Sequence, residues 1–129
     1  MHETLQALLE VFGEKLDPDQ FREPDLRLTK VVVPALHLLR RYFRGQVHGL
    51  EHWPKGPALV VGNHNAGITM FEPFLLGLEV FERSGGEDFL FSLGHDMMTT
   101  LPVVGNLLQK LGTIRASHET AAQALEAGK

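Results

Sequence analysis

Leu5, Leu8, Leu9 and Phe12 recur at helical spacing up to Gly13, which predicts a short amphipathic helix. A link rich in Pro and Asp follows, running through Pro24. From Asp25 to Arg44 the apolar Leu26, Val32, Val33, Leu36, Leu39 and Phe43 are interleaved with Arg27, Lys30, Arg40, Arg41 and Arg44. This pattern predicts a long helix with a basic C-terminal end and a point at Pro34 where it can kink. After Gly45 the period changes. The stretch GQVHGLEHWPKGPALVVGNH reads as a short strand, a Trp-Pro-Lys-Gly-Pro turn and a second strand, Ala58 to Val61, apolar on both faces as in a parallel sheet. Helix and strand then alternate: a helix from Phe71 to Arg83, a strand in DFLFSLGH, a helix from Met97 to Leu111 around Pro102 and Gly105, a strand in GTIRA, and a helix from Glu119 to Ala127. Such alternation predicts an α/β fold, a layered and mostly parallel sheet with flanking helices and right-handed crossovers, preceded by N-terminal helices. The chain divides by this reading into an N-terminal helical segment, 1–45, and an α/β segment, 46–129.

Composition narrows the classes of function. The 129 residues suit one small domain with one core, and 43% apolar content is ordinary for a globular chain. Lys and Arg number 12 against 16 Asp and Glu, so a net charge of -4 gives no general reason to bind nucleic acid. The absence of cysteine removes disulfides, thiolate metal sites and cysteine nucleophiles together. The first 20 residues lack a basic start and a small-residue cleavage site, and no apolar run approaches the roughly 20 residues that span a bilayer, so membrane contact is expected only at the surface. The basic helix admits two readings: a helix packed on its own domain with solvated arginines, or an interfacial helix held near anionic headgroups.

Functional groups in parallel sheets gather beyond the carboxyl ends of the strands, and His64 follows the Ala58 to Val61 strand within Gly62-Asn63-His64-Asn65-Ala66-Gly67. Small residues let a backbone approach a ligand closely, and a neutral imidazole accepts a proton near physiological pH. Spacing alone leaves His64 either catalytic or a hydrogen-bonded structural residue. Two other histidine groups carry less. His48 to His52, HGLEH, matches a zinc pattern that needs both histidines on one helical face, whereas Gly49 and Trp53-Pro54 argue for strand and turn, so no metal is expected. His95-Asp96 reads as a helix-capping Asp96 beside a polar His.

The segment GLEHWPKGPALVVGNHNAG resembles the first motif block of the glycerolipid acyltransferase superfamily, which includes 1-acylglycerol-3-phosphate and other lysophospholipid acyltransferases. There a Gly-x-Glu-x-x-Pro segment leads into an apolar strand ending in Asn-His; here the places are filled by Gly49, Glu51, Pro54, Ala58 to Val61, Asn63 and His64. Downstream, SLGHDMMTTLPVVGNLLQKLGTIRAS resembles a second block, with Leu111, Gly112, Ile114 and Arg115 in the family positions. The likeness runs from about Tyr42 to the end. It implies an acyltransferase-like fold and acyl transfer from a coenzyme A or carrier-protein thioester to a glycerolipid-type hydroxyl. His64 would be the general base, Asn63, Asn65, Gly67 and Arg115 would contact substrate, and no further cofactor would be needed. Arg115 would grip a phosphate with two parallel hydrogen bonds. The sequence departs from the pattern at Thr69, where the family places the Asp that orients the histidine. The nearest downstream carboxylate is Glu72, a spacing that is more similar to a diacylglycerol-acyltransferase-like branch. Glu72 therefore takes the orienting role or only complements a helix dipole.

Two further expectations follow from the resemblance. The acceptor places the protein peripherally on the cytoplasmic side of a membrane. No Pro-Glu-Gly or Pro-Gly-Gly loop occurs, so the chain is expected to be the N-terminal half of a longer acyltransferase, with little turnover alone and no possible neighbour for the Gly112 to Ala116 strand. The competing class is a noncatalytic lipid- or protein-binding fragment of the same fold.

Overall fold

The computed structural model describes residues 1–63 and 71–129. Helix α1, His2–Leu9, tightens into a 3-10 turn, Glu10–Phe12, before Gly13 ends it. Helix α2, Leu26–Phe43, begins where Asp25 caps it by accepting from the backbone N–H of Arg27 at 2.9 Å and of Leu28 at 3.3 Å. Pro34 sits inside α2 without ending it. The carbonyl of Lys30, which loses its helical partner there, lies on an exposed residue that water can serve. Helix α3 spans Phe71–Arg83, β1 Ser92–Gly94, α4 Asp96–Thr100, α5 Val104–Lys110, β2 Thr113–Arg115 and α6 His118–Glu126. The β1 and β2 strands are parallel, with Ser92 opposite Thr113 and Gly94 opposite Arg115, and α4 and α5 form the crossover between them. The C-terminal strand thus has a neighbour in β1.

Three expectations are corrected. Residues 46–48 form no strand, and residues 50–52 form one 3-10 turn instead. The segment from Ala58 to Val61 is not in a sheet, and Leu59 and Val61 are 71% and 85% exposed. A segment apolar on both faces gains from strand pairing only when both faces are covered. Among the described residues the sheet has just two strands. The single helix expected from Met97 to Leu111 is broken at Leu101-Pro102-Val103. Pro102 cannot continue α4, and Val103 turns the chain at φ 64 and ψ -58, with the Val104 N–H donating to the Pro102 carbonyl at 2.6 Å. This is a γ-turn of the strained, positive-φ kind, on a β-branched residue that avoids that region. Val103→Gly is accordingly expected to stabilise the fold by about 1 kcal/mol, the difference between relieved strain and added chain entropy. A thermal melt reads this, and a lower midpoint than wild type would contradict the strain.

The N-terminal segment is packed into the rest of the chain. Ala7, Val11 and Leu28 form a buried cluster, and Leu107 and Leu111 pack against it. Asn106, 2% exposed, accepts from the Leu16 N–H at 2.8 Å and donates to the carbonyls of Val11 at 3.0 Å and Glu14 at 3.1 Å. Gln109 donates to the carbonyls of Leu16 and Thr99. An ion-pair group of Glu10, Arg27, Asp25 and Lys110 joins the ends of α1 and α5 to the start of α2. The Lys110 hydrogen bond holds the Glu10 carboxyl below the usual carboxylate range. Leu75, Leu78 and Val80 of α3, with Ile114 and Ala124, are also buried.

Candidate active site

A cavity of about 970 Å3 opens between the segment from Leu50 to Asn63, the α3 helix and β1. Its volume falls in the range of small-molecule pockets. Leu59, Val60, Leu76, Phe91, Leu93 and Ile114 supply apolar wall. Glu51, Lys55 and Arg83 supply charge, and Asn63 and Glu72 also line it. Glu72 is there because it is the second residue of α3, an exposed position in the first turn where a carboxylate complements the helix dipole. Asn63 is the last described residue before His64 in the chain. His64, Asn65 and Gly67, and with them Thr69, lie outside the described residues. Two of the site residues expected from sequence, Asn63 and Glu72, therefore share one cavity.

Arg115 does not line it, although its neighbour Ile114 does, as alternation along β2 requires. Its guanidinium forks onto Asp96, Nε to Oδ1 at 2.6 Å and Nη2 to Oδ2 at 3.0 Å, and its Nη1 donates to Asp19 Oδ1 at 2.7 Å. Both parallel donors that a phosphate would use are held by Asp96. The hydrogen bond from Arg115 holds the Asp96 carboxyl below the usual carboxylate range, and the two carboxylates, Asp96 first, raise the already high pKa of Arg115. Sequence offers no sign of this pairing, since Asp96 and Asp19 lie 19 and 96 residues away. Asp96 is not the cap expected from sequence: His95 is, its Nδ1 accepting from the Met97 N–H at 3.1 Å, while Asp96 opens the helix and turns to Arg115.

The HGLEH stretch does not form the helical face that zinc binding needs. The 3-10 turn covers only Leu50–His52, behind Gly49 at φ 88. His48 Nε2 bonds Gln46 Oε1 at 3.1 Å, and His52 Nε2 lies 3.6 Å from Glu51 Oε1. Among the described residues no three His, Asp or Glu side chains converge as a metal site would require. Nor, among them, is any helix long and apolar enough to cross a membrane. Among the cavity-lining residues that sequence reasoning passed over are Trp53, Lys55 and Arg83. The Trp-Pro-Lys turn was a usable signal for the first two, because an aromatic and a cation beside a turn sit where a ligand can reach them.

Comparison with known proteins supplies the identity. The family model described as Acyltransferase matches residues 44–129. An uncharacterized protein of Mycobacterium leprae (strain TN) is 38% identical over 101 residues, covering 77% of this chain and 27% of that protein. Uncharacterized proteins of Mycobacterium bovis (strain ATCC BAA-935 / AF2122/97) and Mycobacterium tuberculosis (strain ATCC 25618 / H37Rv) are each 35% identical over 101 residues, covering 77% of this chain and 28% of theirs. The chain thus spans about a quarter of the length of the curated relatives it matches. No solved structure matches it. With the family model covering well over half of its residues, the chain belongs to the acyltransferase family.

Proposed function

We propose that the chain carries the thioester-binding part of a glycerolipid O-acyltransferase, acting peripherally on the cytoplasmic side of a membrane. The observation that carries this reading is the shared cavity: Asn63, the residue before His64, and Glu72, the nearest downstream carboxylate, both line an apolar-walled space large enough for an acyl chain. In the proposed step His64 takes the proton of the acceptor hydroxyl as that oxygen bonds to the thioester carbonyl carbon. The tetrahedral intermediate then expels the thiolate of coenzyme A or of a carrier protein. The C–S bond breaks, the ester C–O bond remains, and the proton held on His64 goes to the departing sulfur. Glu72 fixes the imidazole tautomer, and Asn63, Asn65 and the backbone at Gly67 contact the substrate. Arg115 reaches an acceptor phosphate only by exchanging Asp96 for it.

That last requirement favours a second reading, a noncatalytic lipid- or protein-binding domain, because the guanidinium fork is filled by the chain's own carboxylate. Two arms separate the readings: acyl-coenzyme A with a lysophospholipid, and the thioester alone. Under the catalytic reading free thiol appears in step with the diacylated product and depends on the acceptor. In the same assay Glu72→Gln is expected to lower turnover by roughly tenfold while leaving the melt unchanged, as befits a residue that orients a general base. Thioester binding without acceptor-dependent thiol release, in a protein of the relatives' full length as well as in this chain, would establish the noncatalytic reading.

A further inference from the structure

The outer face of α2 is uncovered and carries the wrong residues for water. Pro34, Leu38 and Tyr42 follow one another at a spacing of four, so they stand in one row along the helix. Leu38 is 69% exposed and Tyr42 79% exposed, and Phe43, stacked edge-on against Tyr42 at 5.0 Å, is half exposed. The inner face is occupied. Leu28 is buried with Ala7 and Val11 of the N-terminal segment, Arg40 pairs with Glu79 and His37 with Glu82 of α3, and Phe43 meets Phe71 at 4.8 Å. The exposed row is therefore not the face that holds α2 to its own domain.

The charges carried by α2 itself are of one sign, the acids that meet it at Arg40 and His37 being Glu79 and Glu82 of α3. From Leu26 to Leu50 the sequence has Arg27, Lys30, Arg40, Arg41 and Arg44 and no Asp or Glu, in a chain whose net charge is -4. At the end of the row is a concavity of about 380 Å3 lined by His37, Arg40, Arg41, Arg44, Gly45 and Gln46. Arg41 and Arg44 are exposed, and among the described residues neither is in an ion pair. Arg44 itself is strained. It takes the left-handed position that ends α2, at φ 51, where glycine is the usual residue, and the Gly45 N–H after it donates back to the Arg40 carbonyl at 2.9 Å. Glycine stands one position later because a Cβ at Gly45 would lie 2.5 Å from Leu75 Cδ2. The chain thus tolerates a left-handed arginine on the rim of a basic concavity, beside exposed leucine and tyrosine.

We propose that this end of α2 is a docking surface for an anionic bilayer: the concavity takes a lipid phosphate headgroup on Arg41 and Arg44, while Leu38 and Tyr42 enter the interface beside it. The division of labour suits a lipid surface, since cations alone would bind any polyanion and apolar side chains alone would not distinguish charge. It deepens the reading of a lipid acceptor by naming the surface through which the chain meets that lipid. The test measures binding and no turnover, so the two fail separately.

The 129-residue chain is sedimented with vesicles of pure phosphatidylcholine and with vesicles containing phosphatidylglycerol. Binding is expected only to the anionic vesicles, and it should weaken as salt is raised. The Arg41→Ala/Arg44→Ala variant should bind on the order of thirtyfold more weakly, because each basic residue near an anionic surface contributes about one factor of five to six. Lys15→Ala, outside the patch, should bind as wild type does. Circular dichroism checks that the double variant is folded. Insertion is read separately in a Tyr42→Trp/Trp53→Phe protein, whose single indole should shift to the blue on anionic vesicles. Equal binding to both vesicle types, unchanged binding by the double variant, or no blue shift overturns the proposal. So does saturable binding of inorganic phosphate by the wild type without vesicle binding, which would make the concavity a site for soluble phosphate.

Discussion

His64→Ala is expected to lower acceptor-dependent thiol release by a factor of about 10² to 10⁴, the usual contribution of a positioned general base. The physical reason is that an alcohol is a poor nucleophile while it keeps its proton, and the described residues of the cavity offer only carboxylates to remove it. Of the described groups that line it, Lys55, Arg83 and Lys129 are cations, and a protonated side chain of that kind has no lone pair to take a proton. Glu51, Glu72 and Asp88 are carboxylates, and a carboxylate is intrinsically a weaker base than an imidazole. The comparison with Glu72→Gln gives the prediction its edge. If Glu72 orients His64, the two substitutions are non-additive, and the double variant falls little below His64→Ala alone. If Glu72 is itself the base, Glu72→Gln is the more damaging change and the assignment is reversed. Equal thiol release by wild type and His64→Ala would remove the catalytic role altogether.

The parts of this fold that were legible in the sequence are those whose signal is local. Helices α1, α2, α3 and α6 begin and end within a few residues of where apolar spacing, Asp25, Gly13 and the Gly45 region place them. Strands β1 and β2 fall inside the predicted DFLFSLGH and GTIRA. What sequence did not disclose depends on partners distant in the chain. The Ala58 to Val61 run has the composition of an inner strand, but composition does not provide a neighbouring ladder, and among the described residues none pairs with it. Arg115 carries the same chemistry whether it faces a phosphate or two aspartates, and only the fold brings Asp96 and Asp19 to it. At the site, the shared position of Asn63 and Glu72 was legible because the two lie close together in the chain. The charge at Arg83 was not, because it sits at the far end of α3 from them.

The same distinction explains why Asn106 escaped notice, and it sets the largest expected effect on stability. In sequence Asn106 is a polar residue in a stretch beside Gly105, with nothing to separate it from a surface position. In the fold it is buried and makes three hydrogen bonds, all to the backbone between Val11 and Leu16. That stretch runs from the last residues of the 3-10 turn into Gly13 to Leu16, which have no regular structure of their own, so their N–H and carbonyl groups must find partners elsewhere. Asn106→Leu keeps the volume of the side chain and removes every one of those partners. It leaves the Leu16 N–H and the Val11 and Glu14 carbonyls facing an apolar group, each with a desolvation cost of about 1 kcal/mol or more. A loss of roughly 3 kcal/mol is expected, a large share of the stability of a small domain. Asn106→Asp is the informative companion. It keeps the acceptor for Leu16 but replaces the amide donor with a buried carboxylate facing two carbonyls, so it should be at least as damaging at neutral pH and recover part of the loss in acid, where the protonated carboxyl can donate once. Urea unfolding at two pH values measures both. Losses below about 1 kcal/mol for Asn106→Leu would mean that the segment from Gly13 to Pro24 is held by its other contacts, among them Gln109, Gln123, the packing of Phe21 on Phe91 and the Arg115–Asp19 and Lys129–Glu23 pairs.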